Sequence, residues 1–373
     1  MNADQSILKV AIVNDWLVSG GGGAERVVLE LHQMFPQAPI YTSYCAPGLR
    51  EEFDGKVVTG VLQYWPFSKL RKFIPVLRIW WFTRLKFEAY DLVISVSGNG
   101  EAKGIRVPKS TTHICYCHTP THFYWRHYDE YLRRPGFGAL DPVARWGLRL
   151  LVGPLRRWDL KAAQRPDYYI ANSAHIMGDI KTYYNRESMV VHPPVDVERF
   201  AAKSPQPRHG FITVGRLKPY KYVDIIIEAC NKLSLPLTVV GRGPDLARLK
   251  KLAGPTITFD DEASDQQVAA YMMNAEAFLF AALEDFGITP VEAMAAGTPV
   301  IAYKAGGALD YVIPSKTGEF FEHQTAESII TTLSQFRANQ YNSAAIQAHA
   351  KQFDNTAFRS GITTLIDRAR ADV

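Results

Sequence analysis

Residues 277–299 read AFLFAALEDFGITPVEAMAAGTP. The unbroken apolar run Ala277 to Ala282 has the length of a strand and no polar alternation, which predicts a strand buried in a parallel sheet. Leu283 to Thr289 then turns, with Gly287 giving the backbone freedom close to whatever binds there. Pro290 suits the first turn of a helix and Thr289 its cap, while Gly297-Thr298-Pro299 stops it. Glu284 follows the strand end, and on this reading Glu292 falls in the first turn of the helix. Ligands of open α/β sheets bind outside the carboxyl ends of the strands, where a helix N-terminus offers free N–H groups to an anion. A carboxylate there is either an ordinary helix-start Glu or an acceptor for ligand hydroxyls such as those of a sugar. Spacing alone leaves both open.

Composition sets the frame around this stretch. A chain of 373 residues, 47% of them hydrophobic, exceeds one ordinary core and suits two domains. A strand at Leu8 to Val13 begins almost at once, so no leader peptide is expected. No apolar run approaches the roughly 18 residues of a membrane span. Four cysteines, Cys45, Cys115, Cys117 and Cys230, make no disulfide framework and fit a reducing cytoplasm. A net charge of +5 permits an anionic partner without naming one. No nucleic-acid module is recognisable, so nucleic acid is not expected.

Upstream, LKVAIVNDW is a strand leading into VSGGGGAERVVLEL, where Gly20 to Gly23 open an amphipathic helix without the G-x-G-x-x-G spacing of a dinucleotide fold. Strands at PIYTSYC, YDLVISVS, THICYC, PDYYIAN and MVVH alternate with helical segments, which predicts one doubly wound domain. Between them, Tyr64 to Tyr90 mixes Lys69, Arg71, Lys72, Arg78, Arg84 and Lys86 with Trp65, Phe67, Phe73, Trp80, Trp81 and Phe82. Arg133 to Lys161 repeats the mixture with Arg145, Trp146, Arg149, Arg156, Arg157 and Trp158. Basic plus aromatic on a helix is the composition of an interfacial membrane contact; the alternative is partly buried helices with a solvated basic face. In THICYCHTP, Cys115 and Cys117 face one side of a buried strand, and C-x-C-H lacks a second Cys/His pair for zinc. His118 falls at that strand's carboxyl end. Past a Pro-rich, polar hinge from His192 to about Gly210, FITVGRL restarts the strand–loop–helix pattern, with Lys221 opening the helix KYVDIIIEAC. Arg216 and Lys221 lie just past a strand end, where a guanidinium and an ammonium suit a diphosphate. LTVVGRGP, ITFDD and VIAYKAGGALDYVI continue the pattern, the last with a Gly306-Gly307 turn.

The spacing of Glu284 and Glu292, the FG after the first and the EAMAAGTPV around the second resemble the E-x7-E signature of the retaining family 4 glycosyltransferases. GGAER, NDWL, YCHTP, the G-R-x4-K of residues 215–221, KPYKYVD and LEDFGI add to a resemblance that covers nearly the whole chain. It implies an α/β fold of the GT-B type, two facing Rossmann-like domains with an interdomain cleft. Residues 1–195 would bind the acceptor, joined by a C-terminal helix at 355–373, and residues 208–354 the nucleotide sugar. The implied reaction moves a hexose, on best match mannose from GDP-mannose, with retention to a lipid-linked or oligosaccharide acceptor in cell-surface polysaccharide or lipopolysaccharide assembly. No cofactor or metal is expected, and the protein is expected in the cytoplasm, peripheral on the inner face of an anionic membrane. By resemblance His118 and Glu284 stand at the reacting centre, while Gly22, Gly23, Arg216, Lys221, Phe286, Gly287, Ile288 and Glu292 hold the donor, Glu292 through the ribose. No catalytic base is assigned. The loop FDDEASD stands where many members carry Gly and then a basic or aromatic residue, which leaves the base open to a UDP-sugar. His122 and Arg126 replace Arg and Asp of many relatives, which leaves the acceptor open. Nucleotide-sugar 2-epimerases and non-catalytic sugar- or membrane-binding relatives share the fold. The first would need its own acid/base groups, and the second has no use for a diphosphate clamp.

Overall fold

The structure is a computed structural model that describes residues 8–18, 22–70, 75–126, 128–133, 138, 141–200 and 207–372. The chain divides into two compact units, residues 1–192 with 359–373, and residues 193–358.

The first unit is built on strands β1 (Val10–Asn14), β2 (Ile40–Thr42), β3 (Val57–Val58), β4 (Leu92–Ser97), β5 (Thr112–Cys117), β6 (Tyr168–Ala171) and β7 (Met189–Val190). They pair in parallel in the order β3-β2-β1-β4-β5-β6-β7. Every residue of β1 and β4 is buried, which is why neither shows apolar–polar alternation. The second unit carries β8 (Phe211–Val214), β9 (Leu237–Val240), β10 (Ile257–Asp260), β11 (Ala277–Phe280), β12 (Val300–Tyr303) and β13 (Gly318–Phe321), parallel throughout and ordered β10-β9-β8-β11-β12-β13. Each sheet therefore reverses its winding once, between β1 and β4 in the first and between β8 and β11 in the second. Such a reversal sends the two flanking loops in opposite directions and opens a crevice at the strand ends.

The helix Asn355–Ala371 starts in the second unit and ends in the first. In the first unit its Arg359 guanidinium is bound to the Glu30 carboxylate and its Gly361 lies against Val191. Among the described residues no helix is long and apolar enough to cross a membrane.

The first basic–aromatic segment is in part a core element. In the helix Pro75–Phe82, Arg78 turns inward, 2.7 Å from the Glu101 carboxylate and stacked 5.0 Å above the Trp16 ring, while Trp81 and Phe82 join the core. Sequence composition counted these three with the surface mixture; burial of an Arg only with a paired carboxylate explains the difference. Tyr64, Trp65, Phe67 and Trp80 do stand exposed. Arg71, Lys72 and Phe73 lie outside the described residues.

Candidate functional site

At the reversal of the second sheet, the loops after β8 and β11 face each other, and each is braced by a neighbouring glycine turn. A Cβ on Gly241 would stand 2.0 Å from the Gly215 carbonyl oxygen, so only glycine lets the turn after β9 press on the turn after β8. On the other side the Gly307 N–H donates to the Glu284 carbonyl at 2.9 Å, and a Cβ there would come within 2.3 Å of the Phe286 backbone. The two loops thus have fixed backbones, and their side chains supply what adapts.

After β8, Pro219–Lys221 makes one 3₁₀ turn, and Tyr222 stops it in the left-handed region at φ 53°. Lys221 consequently precedes the helix Val223–Leu233 instead of opening it, a correction to the sequence reading. Its ammonium is ion-paired with the Glu284 carboxylate across the reversal, with the two side chains 15% and 26% exposed. Burial, then the charges of Arg216 and Lys218, pull Lys221 down to about 8, while the carboxylate acts in the opposite sense. Gly215, Arg216, Leu217, Lys221, Phe280 and Ala282 line a small pocket at this point.

After β11 the helix Ile288–Ala295 is capped by Gly287 at φ 90°, not by Thr289, and Pro290 is its third residue. A proline remains harmless there because first-turn N–H groups have no intrahelical partner. Glu292 is thereby moved into the second turn, and at 7% exposure it is not a solvated helix-start Glu favoured by the dipole. Ile288 supplies the first helical residue, at an N-terminus with no side-chain cap. The Phe286 ring is buried against Tyr311 and Phe353, centroids 5.6 and 5.8 Å away, so it anchors the loop.

In the first unit, His118 follows β5. Its N–H donates to the Ser97 carbonyl at 2.8 Å, and its own carbonyl accepts from the Asn172 amide at 3.0 Å. Burial lowers the imidazole to about 4, which keeps it neutral, and its Nε2 is buried without a partner among the described residues. Gly22 caps the helix Gly23–Met34; Gly20 and Gly21 lie outside the described residues. Among the described residues no group of three or more His, Cys, Asp or Glu side chains is arranged to hold a metal, and Cys115 and Cys117 are buried in β5. His122 lies 3.2 Å from the Tyr131 hydroxyl, and Arg126 is ion-paired with Asp179.

Sequence reasoning missed Asp15. At the reversal of the first sheet its carboxylate accepts N–H bonds from Gly98, Asn99, Gly100 and Ala102 at 2.8, 2.7, 3.3 and 2.7 Å, which fixes the loop after β4. An Asp just past a first strand, in NDW, was the available signal. Beneath the same loop Lys103 is fully buried, 2.6 Å from Asp159, which also accepts from Thr121, Trp125 and Tyr184.

Two family models match in succession, Glycosyltransferase Family 4 over residues 21–199 and Glycosyl transferases group 1 over residues 194–353. A GDP-mannose-dependent alpha-mannosyltransferase of Mycobacterium tuberculosis is 35% identical over 153 residues, 36% of this chain and 40% of the relative. A GDP-mannose-dependent alpha-(1-6)-phosphatidylinositol monomannoside mannosyltransferase of Mycolicibacterium smegmatis is 27% identical over 60% of this chain and 72% of the relative. The match thus spans less than half the length of the first of these relatives. In structure the chain is similar to Anabaena Alr3699/HepE in complex with UDP, with a TM-score of 0.69 and 18% identity over 97% of this chain and 100% of that one.

Proposed function

The chain belongs to the group 1, family 4 glycosyltransferases with the GT-B fold, and from that premise we propose that it transfers mannose from GDP-mannose to a glycan or lipid-linked acceptor with retention. The observation that carries the donor half is the cluster of Arg216, Lys221 and Glu284 at the reversal of the second sheet. Arg216 and Lys221 stabilise the diphosphate as it becomes the leaving group, and fixed charges in a partly desolvated pocket do so without reorganising. Glu292, buried in the helix after β11, accepts from the ribose hydroxyls, and Glu284 accepts from hydroxyls of the hexose. Neutral His118, whose ring Nε2 has no partner among the described residues, suits a hydrogen bond to a sugar hydroxyl. Mannose and guanine are favoured because both curated relatives above carry GDP-mannose in their names.

The acceptor side of the proposal is a lipid-linked glycan at an anionic membrane. On the helix Asp141–Ala163, Val143, Trp146 and Leu150 share one face at helical spacing and are 66%, 67% and 60% exposed, with Arg149 and Arg157 also exposed. Apolar anchors flanked by guanidinium groups are what an interfacial helix presents to acidic lipid. Arg145 and Trp158 are only half exposed, and Arg156 stacks on Trp125, so these three contribute to the fold rather than to that face. Cosedimentation with acidic liposomes tests this half: wild type is expected to bind and Trp146→Glu to stay in solution. Equal behaviour of the two removes the helix from the proposal.

The donor half is tested by hydrolysis and binding of GDP-, UDP- and ADP-sugars with and without EDTA. Slow release of mannose from GDP-mannose, unaffected by EDTA, is the expected result. Preference for a UDP-sugar moves the donor assignment and points to residues 259–265. Binding of none of the three overturns it.

A further inference from the structure

Resting on the donor-site reading above, we infer that Glu284 distinguishes the intact nucleotide sugar from the spent nucleoside diphosphate, by competing with the diphosphate for Lys221. Arg216, Lys218 and Lys221 crowd one turn after β8, and the Glu284 carboxylate offsets their mutual repulsion through its ion pair with Lys221. A diphosphate brought to that turn carries at least two negative charges. Beside it, the carboxylate becomes a like charge in a partly covered place, where salt screens poorly. Lys221 has three N–H donors but a single positive charge, so it cannot neutralise both partners.

The backbone decides how the conflict is relieved. Glu284 cannot retreat as a whole, because its carbonyl is held by the Gly307 N–H at 2.9 Å and the Gly306 backbone lies against it. Only the side chain can turn away. With the sugar present, its hydroxyls donate to the displaced carboxylate and satisfy the charge. Once the sugar has been transferred, the carboxylate again faces the diphosphate with no donor of its own, and the leaving nucleotide is weakened. Glu284 is then a residue that favours donor over product, beyond any contact it makes to the hexose.

The test is calorimetric titration of the full chain with GDP, GMP and GDP-mannose, comparing wild type with Glu284→Gln and Glu284→Asp. Glu284→Gln is expected to bind GDP roughly three- to tenfold more tightly than wild type, tenfold being about 1.4 kcal/mol. GMP, which lacks the second phosphate, is expected to bind as before, and GDP-mannose no more tightly than before. Glu284→Asp, which keeps the charge, is expected to keep the weak GDP binding. The inference is overturned if Glu284→Gln leaves GDP affinity unchanged or lower, or if GMP gains as much as GDP. UDP and UMP replace the guanine probes if the chain prefers uridine. Wild-type chain that binds neither diphosphate removes the donor-site reading itself, and the inference with it.

Discussion

At the reversal of the first sheet Asp15 sends its carboxylate to four backbone N–H groups of the loop after β4. At the reversal of the second, Glu284 sends its carboxylate to one lysine side chain on the loop after β8. The topology is the same and the chemistry opposite. Backbone amides have no other position to take, so the first carboxylate is committed to structure. A lysine side chain can change partner, so the second remains available to a ligand. Both are acidic residues just past a central strand, and what separates a framework residue from a site residue is the mobility of the group each one meets.

The largest effect that could break this contrast is on stability. Asp15→Ala would leave four N–H groups without their acceptor, three of them within 2.8 Å of it now, and is expected to cost about 3–5 kcal/mol in chemical denaturation. A loss below about 1 kcal/mol would show that water replaces the carboxylate and that this crevice is no more closed than the other. Lys221→Met should behave in reverse. Diphosphate affinity is expected to fall by about 2–3 kcal/mol, the worth of a charged hydrogen bond, with the melting temperature little changed. A variant that melts early would make Lys221 a framework residue too.

Glu292→Ala is expected to weaken nucleotide binding by about 1.5–3 kcal/mol, with no such loss for the isolated diphosphate. Equal affinities in wild type and variant would remove the ribose contact. Smaller still are the pH effects, and they should fall on opposite sides of neutrality. Burial holds His118 at about 4 and His113 at about 3, below the unfolded value of 6.5. Their stabilising contribution is therefore complete above pH 6.5 and lost as pH falls through the folded values, so the melting temperature should decline steadily below about pH 6. His118→Gln should flatten part of that slope. Lys221, lowered to about 8, is charged below that pH and neutral above it, so diphosphate affinity should fall as pH rises past about 8. A binding profile flat to pH 10 would show the ammonium to be held by Glu284 more firmly than its burial disfavours it.

The second crevice was more legible in sequence than the first for a physical reason. Arg216, Glu284 and Lys221 each lie within seven residues of the end of β8 or β11, and Glu292 lies on the helix that directly follows β11, so local pattern brings them near one crevice. The helix boundary was misjudged because Pro290 and Thr289 are permitted both at a helix start and one or two residues inside it, and only the left-handed backbone of Gly287 decides. The charges beneath the first crevice carry no local signal. Lys103 and Asp159 are 56 residues apart, and nothing in either neighbourhood marks the other. Arg78 shows the same limit from the other side, since a guanidinium in a run of exposed cations is indistinguishable by composition from one that turns into the core.

The helix Asn355–Ala371 has a consequence for how the protein is made. Glu30 on the first helix meets Arg359 across 329 residues, and Tyr168 meets Asp372 across 204. A chain emerging from the ribosome can assemble the six strands of its second sheet while the outer side of its first unit still lacks those partners. The first unit is thus completed only after residues 193–358 have been made, and the Val191 side chain that Gly361 will cover stays open until then.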